Sequence, residues 1–143
     1  HAAKVYFNAL FGKSFSREQD NAINAALNYG YAILLSAVNR EILSLDYITQ
    51  LGLNHCNQFN PYNLGSDLME PLRGFVDAVV IKSIPTEFNR DVKLSLIELL
   101  SEDVKINDTI QTFSAAIRIY CKSVFDALRN QDASEIRFIE YEL

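Results

Sequence analysis

Two side chains in this sequence have types and spacing that suit metal chemistry. His55 sits in a polar stretch, Asn54-His55-Cys56-Asn57-Gln58-Phe59-Asn60-Pro61-Tyr62-Asn63, and Glu70 follows fifteen residues later, just after Asp67. An imidazole nitrogen and carboxylate oxygens suit Mn²⁺ well, and Mg²⁺ less naturally because Mg²⁺ prefers all-oxygen shells. Such a pair can converge if the loop folds against the start of the following helix. The bland alternatives are strong. A lone loop histidine is commonly a hydrogen-bonded structural residue, and Asp67-Leu68-Met69-Glu70 resembles a capping pattern in which both acids favour a helix N-terminus. Arg73 follows Glu70 by three residues. It is either an intrahelical ion-pair partner or a group that orients Glu70 or meets a phosphate.

Other reaction classes fit poorly. The sequence holds no glycine-rich phosphate loop, no dinucleotide fingerprint and no nucleophile elbow. His55 and Cys56 are adjacent, and neighbouring side chains rarely aim at each other, so a Cys–His nucleophile is not expected. The Tyr and Phe residues fall mostly at helical core spacing and are read as packing. The net charge of −5 weighs against an autonomous nucleic-acid binder, yet carboxylates that hold a cation count as negative in sequence and are neutralised in the loaded protein.

The elements that must position these residues are helical. A first helix is expected over Ala2 to Phe11, stopped by Gly12. Ser16 looks like an N-cap, with Gln19 three residues on in a capping-box arrangement. The long helix that follows has Ile23, Leu27, Gly30, Leu34, Val38 and Ile42 at spacings of three or four, and finishes near Asp46. Residues 46–53 make a short helix or turn, and 54–63 a loop. A third helix runs from about Leu64 or Ser66 to Ile84, with Pro71 kinking it or marking a late start. Residues 91–100 form a short helix, Lys105 to Thr112 is extended or turn-like, and Phe113 to Leu128 is a strong helix. The tail from Ile136 to Leu143 is a short strand or packing arm. The expected fold is all-α, an irregular bundle of about five or six helices in one domain spanning residues 1–143.

Composition is ordinary for a globular domain, with 49% hydrophobic and 22% charged residues. No apolar run reaches the roughly 18 residues of a membrane span. The opening His1-Ala2-Ala3-Lys4-Val5-Tyr6-Phe7 has no signal-peptide pattern and no initiator Met, so a fragment of a longer protein is expected. Cys56 and Cys121 lack zinc-site spacing. A reducing cytoplasm is the expected location, with one disulfide between the two as the alternative.

Three stretches together resemble the CRISPR-associated integrase family, also called CRISPR-associated protein one. They are Ala2-Ala3-Lys4-Val5-Tyr6-Phe7, then Asp20-Asn21 through Asn28-Tyr29-Gly30-Tyr31, then Leu53 through His55 and Asn60-Pro61-Tyr62-Asn63-Leu64 to Asp67-Leu68-Met69-Glu70-Pro71-Leu72-Arg73 and Val76-Asp77. The spacing from His55 to Glu70 resembles the type II branch, and the likeness spans essentially the whole chain. It implies the family's C-terminal catalytic domain, with a Mg²⁺ or Mn²⁺ site made by a Glu, a His and an acidic residue. His55 matches the second ligand and Glu70 the third, with Asp67 and Arg73 in support. The first ligand is expected two positions ahead of His1, and the family's N-terminal β-rich domain, which supports self-dimerisation, is expected to lie outside this sequence; the isolated fragment is therefore expected to be weak or inactive. The implied reaction is attack by the 3′-hydroxyl of a captured DNA fragment on a phosphodiester at a repeat edge, with no covalent enzyme intermediate. With water as nucleophile the same site acts as a nuclease. Implied partners are DNA, a small second adaptation subunit and a second copy in the full-length protein, with no membrane. The alternative is a non-catalytic helical module that docks the partner subunit and DNA.

Overall fold

The structure, a computed structural model, describes residues 2–50 and 61–140, including side chains except those of 46–50 and 61–63. Helix α1 (Ala2–Phe11) ends where expected: Gly12 takes φ +98°, open to glycine without strain, and its N–H bonds back to Asn8 O at 3.0 Å. Phe7, Phe11 and Phe15 then fold onto one another, with ring centroids 6.5 Å (Phe7–Phe11) and 4.9 Å (Phe11–Phe15) apart.

Helix α2 (Ala22–Gln50) is the centre of the molecule, packed against α3, α4, α5 and α6. Its stripe of Ala26, Leu27, Tyr31, Leu34, Val38 and Ile42 is buried, as the sequence periodicity requires. It begins later than expected. Ser16 and Gln19 do make the local contact (Ser16 N–H to Gln19 Oε1, 3.1 Å), but within a turn; the side chain that receives the first free amide of α2 is Asn21, from Asn24 N at 2.9 Å.

Helix α3 (Pro61–Met69) and helix α4 (Arg73–Ser83) take the place of the single third helix. Between them Glu70–Leu72 forms a 3₁₀ turn. Pro71 has no N–H to give and its ring crowds the preceding turn, which accounts for the interruption. At the far end Ile84 adopts a left-handed conformation (φ 36°) before Pro85, closing α4. Helix α5 (Arg90–Glu98) starts on Asn89, whose side chain accepts from Val92 N at 3.1 Å.

The expectation of an all-α fold is corrected by a small antiparallel sheet, ordered β2-β1-β3. Strands β1 (Asp103–Ile106) and β2 (Thr109–Thr112) are joined by Asn107 and Asp108, both at positive φ (53° and 60°), the backbone of a tight primed turn. Strand β3 (Ile139–Glu140) returns from the tail to pair with β1, and Lys105 Nζ lies 3.3 Å from Glu140 Oε2 across that pair. Helix α6 (Phe113–Asn130) leaves β2 directly, with Thr112 Oγ1 capping Ala115 N at 3.2 Å. The helices remain dominant, and one core joins Leu27, Leu34, Val76, Leu96, Phe113 and Ile117. Cys121 is a buried thiol in that core; Cys56, its partner in the disulfide alternative, lies outside the described residues.

Candidate functional site

Glu70 stands at the first position of the 3₁₀ turn between α3 and α4, with its side chain 67% exposed. The interruption created by Pro71 therefore presents a carboxylate at the surface rather than along a helix side. Arg73 Nε is 3.0 Å from Glu70 Oε2. That nitrogen is buried, and the contact is not aligned as a hydrogen bond, so the link is a charge contact. With both side chains more than a third exposed, solvent screening limits the pair to ~0–1 kcal/mol.

Arg73 is also contacted from the other side. Its guanidinium carbon lies over the Tyr31 ring, 5.0 Å from the centroid. A second guanidinium, that of Arg17, lies 5.7 Å from the same ring and 5.4 Å from the Phe7 ring. Arg17 is fixed in turn by hydrogen bonds to Asn24 and Asn28 on α2. Asn24 is buried and ties down the preceding turn, donating to Ser16 O and Gln19 O at 2.8 Å each. Cation–π contacts of this kind contribute about 0.5–1 kcal/mol near the surface and more when dry.

Beneath this layer, the Tyr31 hydroxyl donates to Asp77 Oδ1, and the Tyr6 hydroxyl donates to Asp77 Oδ2 at 2.6 Å. Asp77 is only 4% exposed, and a carboxylate that deep requires donors on its oxygens. The two tyrosines bring them from α2 and α1. Burial, reinforced by the hydrogen bond to Asp77, holds the Tyr31 hydroxyl well above the ordinary tyrosine range, so it remains a proton donor through neutral pH.

The structure thus brings together Glu70 and Arg73 from the expected set. Asp67 is exposed within α3, three residues before Glu70. The capping alternative is met only in part: Asp67 lies inside α3, whereas Glu70 is the acid in the first turn of the 3₁₀ segment, which has no side-chain cap. His55 lies outside the described residues. Among the described residues no group of three or more His, Cys, Asp or Glu side chains gathers in metal-holding geometry. Glu70 offers an exposed oxygen donor of the kind a hard cation takes, with the Arg73 guanidinium beside it. Tyr6, Tyr31 and Asp77 fall within the stretches that carry the family likeness, but periodicity alone reads the two tyrosines as packing and gives Asp77 no role. The signal that could have found them is Asp77 itself, a lone acid directly after buried Val76 on an apolar helix.

No helix among the described residues is long and apolar enough to cross a membrane. Comparison with known proteins adds the lineage. Residues 2–95 match the family model described as CRISPR associated protein Cas1. The chain is 36% identical over 144 residues, 97% of its length, to the CRISPR-associated endonuclease Cas1 of Neisseria meningitidis serogroup C (strain 8013). It is 35% identical over 115 residues, 71% of its length, to a CRISPR-associated endonuclease Cas1 of Francisella tularensis subsp. novicida (strain U112). A Pyrobaculum aerophilum counterpart is 32% identical over 108 residues, 68% of the chain. The chain spans 47% of the length of the Neisseria relative and 36% of each of the other two. With a family model matched over more than half its residues and a relative matched nearly end to end, the chain belongs to the Cas1 family of CRISPR-associated proteins.

Proposed function

We propose that this chain supplies the helical catalytic part of a divalent-cation-dependent DNA endonuclease and integrase that inserts short DNA into a CRISPR array. The observation that carries this reading is the surface carboxylate of Glu70 at the break between α3 and α4, charge-paired with Arg73 in a chain of the Cas1 family. On this reading Glu70 and His55 hold Mg²⁺ or Mn²⁺, with Asp67 and Arg73 in support. When bound, the cation supplies positive charge against the charge that develops on a phosphoryl group under attack. The chain's own residues hold and orient. Glu70 keeps an oxygen donor at the surface, where a DNA phosphate can approach. Arg73 fixes the direction of that carboxylate. No nucleophilic side chain is required, because the attacking group is the 3′-hydroxyl of the incoming DNA, or water in the nuclease reaction. DNA, a small second adaptation subunit and a second copy of the chain are the partners of this reading, and the cytoplasm its location.

The alternative reading is a non-catalytic module that docks the partner subunit and DNA. The two are separated by assaying the full-length protein on duplex DNA with Mg²⁺ or Mn²⁺. We expect His55→Ala and Glu70→Ala each to lower the cleavage rate by at least about 10–100-fold. Undiminished cleavage in both variants rules out His55 and Glu70 as the cation site and, with it, the catalytic reading of this chain.

A further inference from the structure

We propose that Tyr31 is a positioning residue that acts through Arg73 on Glu70, and that Asp77 holds it in that role. The inference rests on the proposed catalytic part played by Glu70. Arg73 and Asp77 are four residues apart on α4 and therefore share one helix face. Both address the same tyrosine of α2: Arg73 lies over its ring, and Asp77 accepts its hydroxyl proton. The side chain is thus held at both ends by one turn of a neighbouring helix.

Three further observations give this arrangement a direction. The Arg73 guanidinium lies between the two groups, with Nε 3.0 Å from Glu70 Oε2 in a charge contact and its carbon 5.0 Å from the Tyr31 ring centroid, so a shift on the ring side is passed to the carboxylate side. Asp77 is buried and receives a second donor, Tyr6, from α1, so the acceptor for Tyr31 is itself fixed by a third element. Arg17, anchored to Asn24 and Asn28, adds a second guanidinium to the same ring. A phenol that donates to a carboxylate gains electron density in its ring, and a richer ring face attracts a guanidinium more strongly. Loss of the hydroxyl loosens Arg73, and a loosened Arg73 lets the Glu70 carboxylate turn away from the geometry a cation requires.

The test uses full-length protein, with Mn²⁺ titrated by calorimetry and thermal stability measured alongside. Tyr31→Phe keeps the ring and removes the donor. It is expected to weaken Mn²⁺ binding several-fold, up to about tenfold. The same change made in an Arg73→Ala background is expected to have no further effect on Mn²⁺ affinity, because the path to Glu70 is already cut. Asp77→Asn, equal in size, provides a second arm should Tyr31→Phe fold poorly, with the same expected dependence on Arg73. A change in thermal stability with unaltered Mn²⁺ affinity, or an equal loss of affinity with and without Arg73, overturns the inference. Glu70→Ala is the control. If it abolishes Mn²⁺ binding while Tyr31→Phe is inert, only this inference fails; if it leaves Mn²⁺ binding intact, the catalytic reading fails with it.

Discussion

Gly30 of α2 faces Val76 of α4 so closely that a Cβ added at Gly30 would lie 2.4 Å from Val76 Cγ1 and 3.0 Å from Cγ2. Alanine is the better helix former by about 1 kcal/mol. That gain is opposed by overpacking, which typically costs about 1–3 kcal/mol. Both methyls of Val76 are in the way, and a β-branched side chain in a helix has one favoured rotamer, so rotation does not relieve the clash. Leu96 at 3.2 Å closes the remaining side. We expect Gly30→Ala to lower the urea midpoint, and Val76→Ala added to it to recover part of the loss.

Gly65 on α3 makes the informative contrast. A Cβ there would lie 2.0 Å from Asn39 Oδ1, nominally a worse clash. The obstructing atom is the far end of a rotatable side chain, not a stiff methyl pair. The helix-propensity gain therefore offsets more of the cost, and Gly65→Ala is expected to destabilise less than Gly30→Ala in the same urea assay. Adding Asn39→Ala is expected to raise the midpoint above that of Gly65→Ala alone. The opposite ranking of the two glycines would show that α3 is held more rigidly than α4 against α2.

Much of this scaffold was legible because periodicity and stop signals agreed. Gly12 ended α1, and the apolar stripe of α2 from Leu27 to Ile42 faces the core. The failures have physical causes. Ser16 and Gln19 form their expected contact, but Arg17 beyond them is held by Asn24 and Asn28, and the backbone stays in a turn. The hairpin was hidden because Asn107-Asp108 reaches positive φ without a glycine. At the candidate site, Glu70 and Arg73 were legible from residue type, order and family likeness. The Tyr6–Asp77–Tyr31 network was not, because its partners lie 71 and 46 positions apart and tyrosines at core spacing read as packing.

The starts of α5 and α6 rest on side-chain caps that can be removed singly. Asn89 accepts from Val92 N at 3.1 Å and Thr112 from Ala115 N at 3.2 Å. Asn89→Ala and Thr112→Ala are each expected to cost ~1 kcal/mol, read as a drop in urea midpoint with the slope unchanged. Because the two caps share no partner, the double variant is expected to show the sum. A loss well beyond the sum would reveal that Thr112 also holds the hairpin against α6.

Stability should fall on the alkaline side, and the order in which groups contribute can be read from their burial. Burial, with a smaller push from the charge of Glu41, raises the Cys121 thiol from its ordinary 9.0 to about 12. Burial likewise raises Tyr120 from 10.0 to about 12, with Cys121 adding to it, and Tyr31 is raised too. In each case the folded chain keeps a proton that the unfolded chain releases. The folded state therefore binds more protons above the unfolded pKa, and the unfolding free energy decreases with pH there. Below about pH 9 this stability is fully present; it erodes first through Cys121 and from pH 10 also through the tyrosines, at about 1.4 kcal/mol per pH unit for each fully engaged group. Urea midpoints at pH 8 and pH 10.5 measure the total. Cys121→Ala removes the part that begins near 9 and relieves the charge that reaches Tyr120, so its midpoint is expected to fall less between the two pH values. An identical fall in both proteins would mean that the thiol ionises as freely in the folded core as in the unfolded chain.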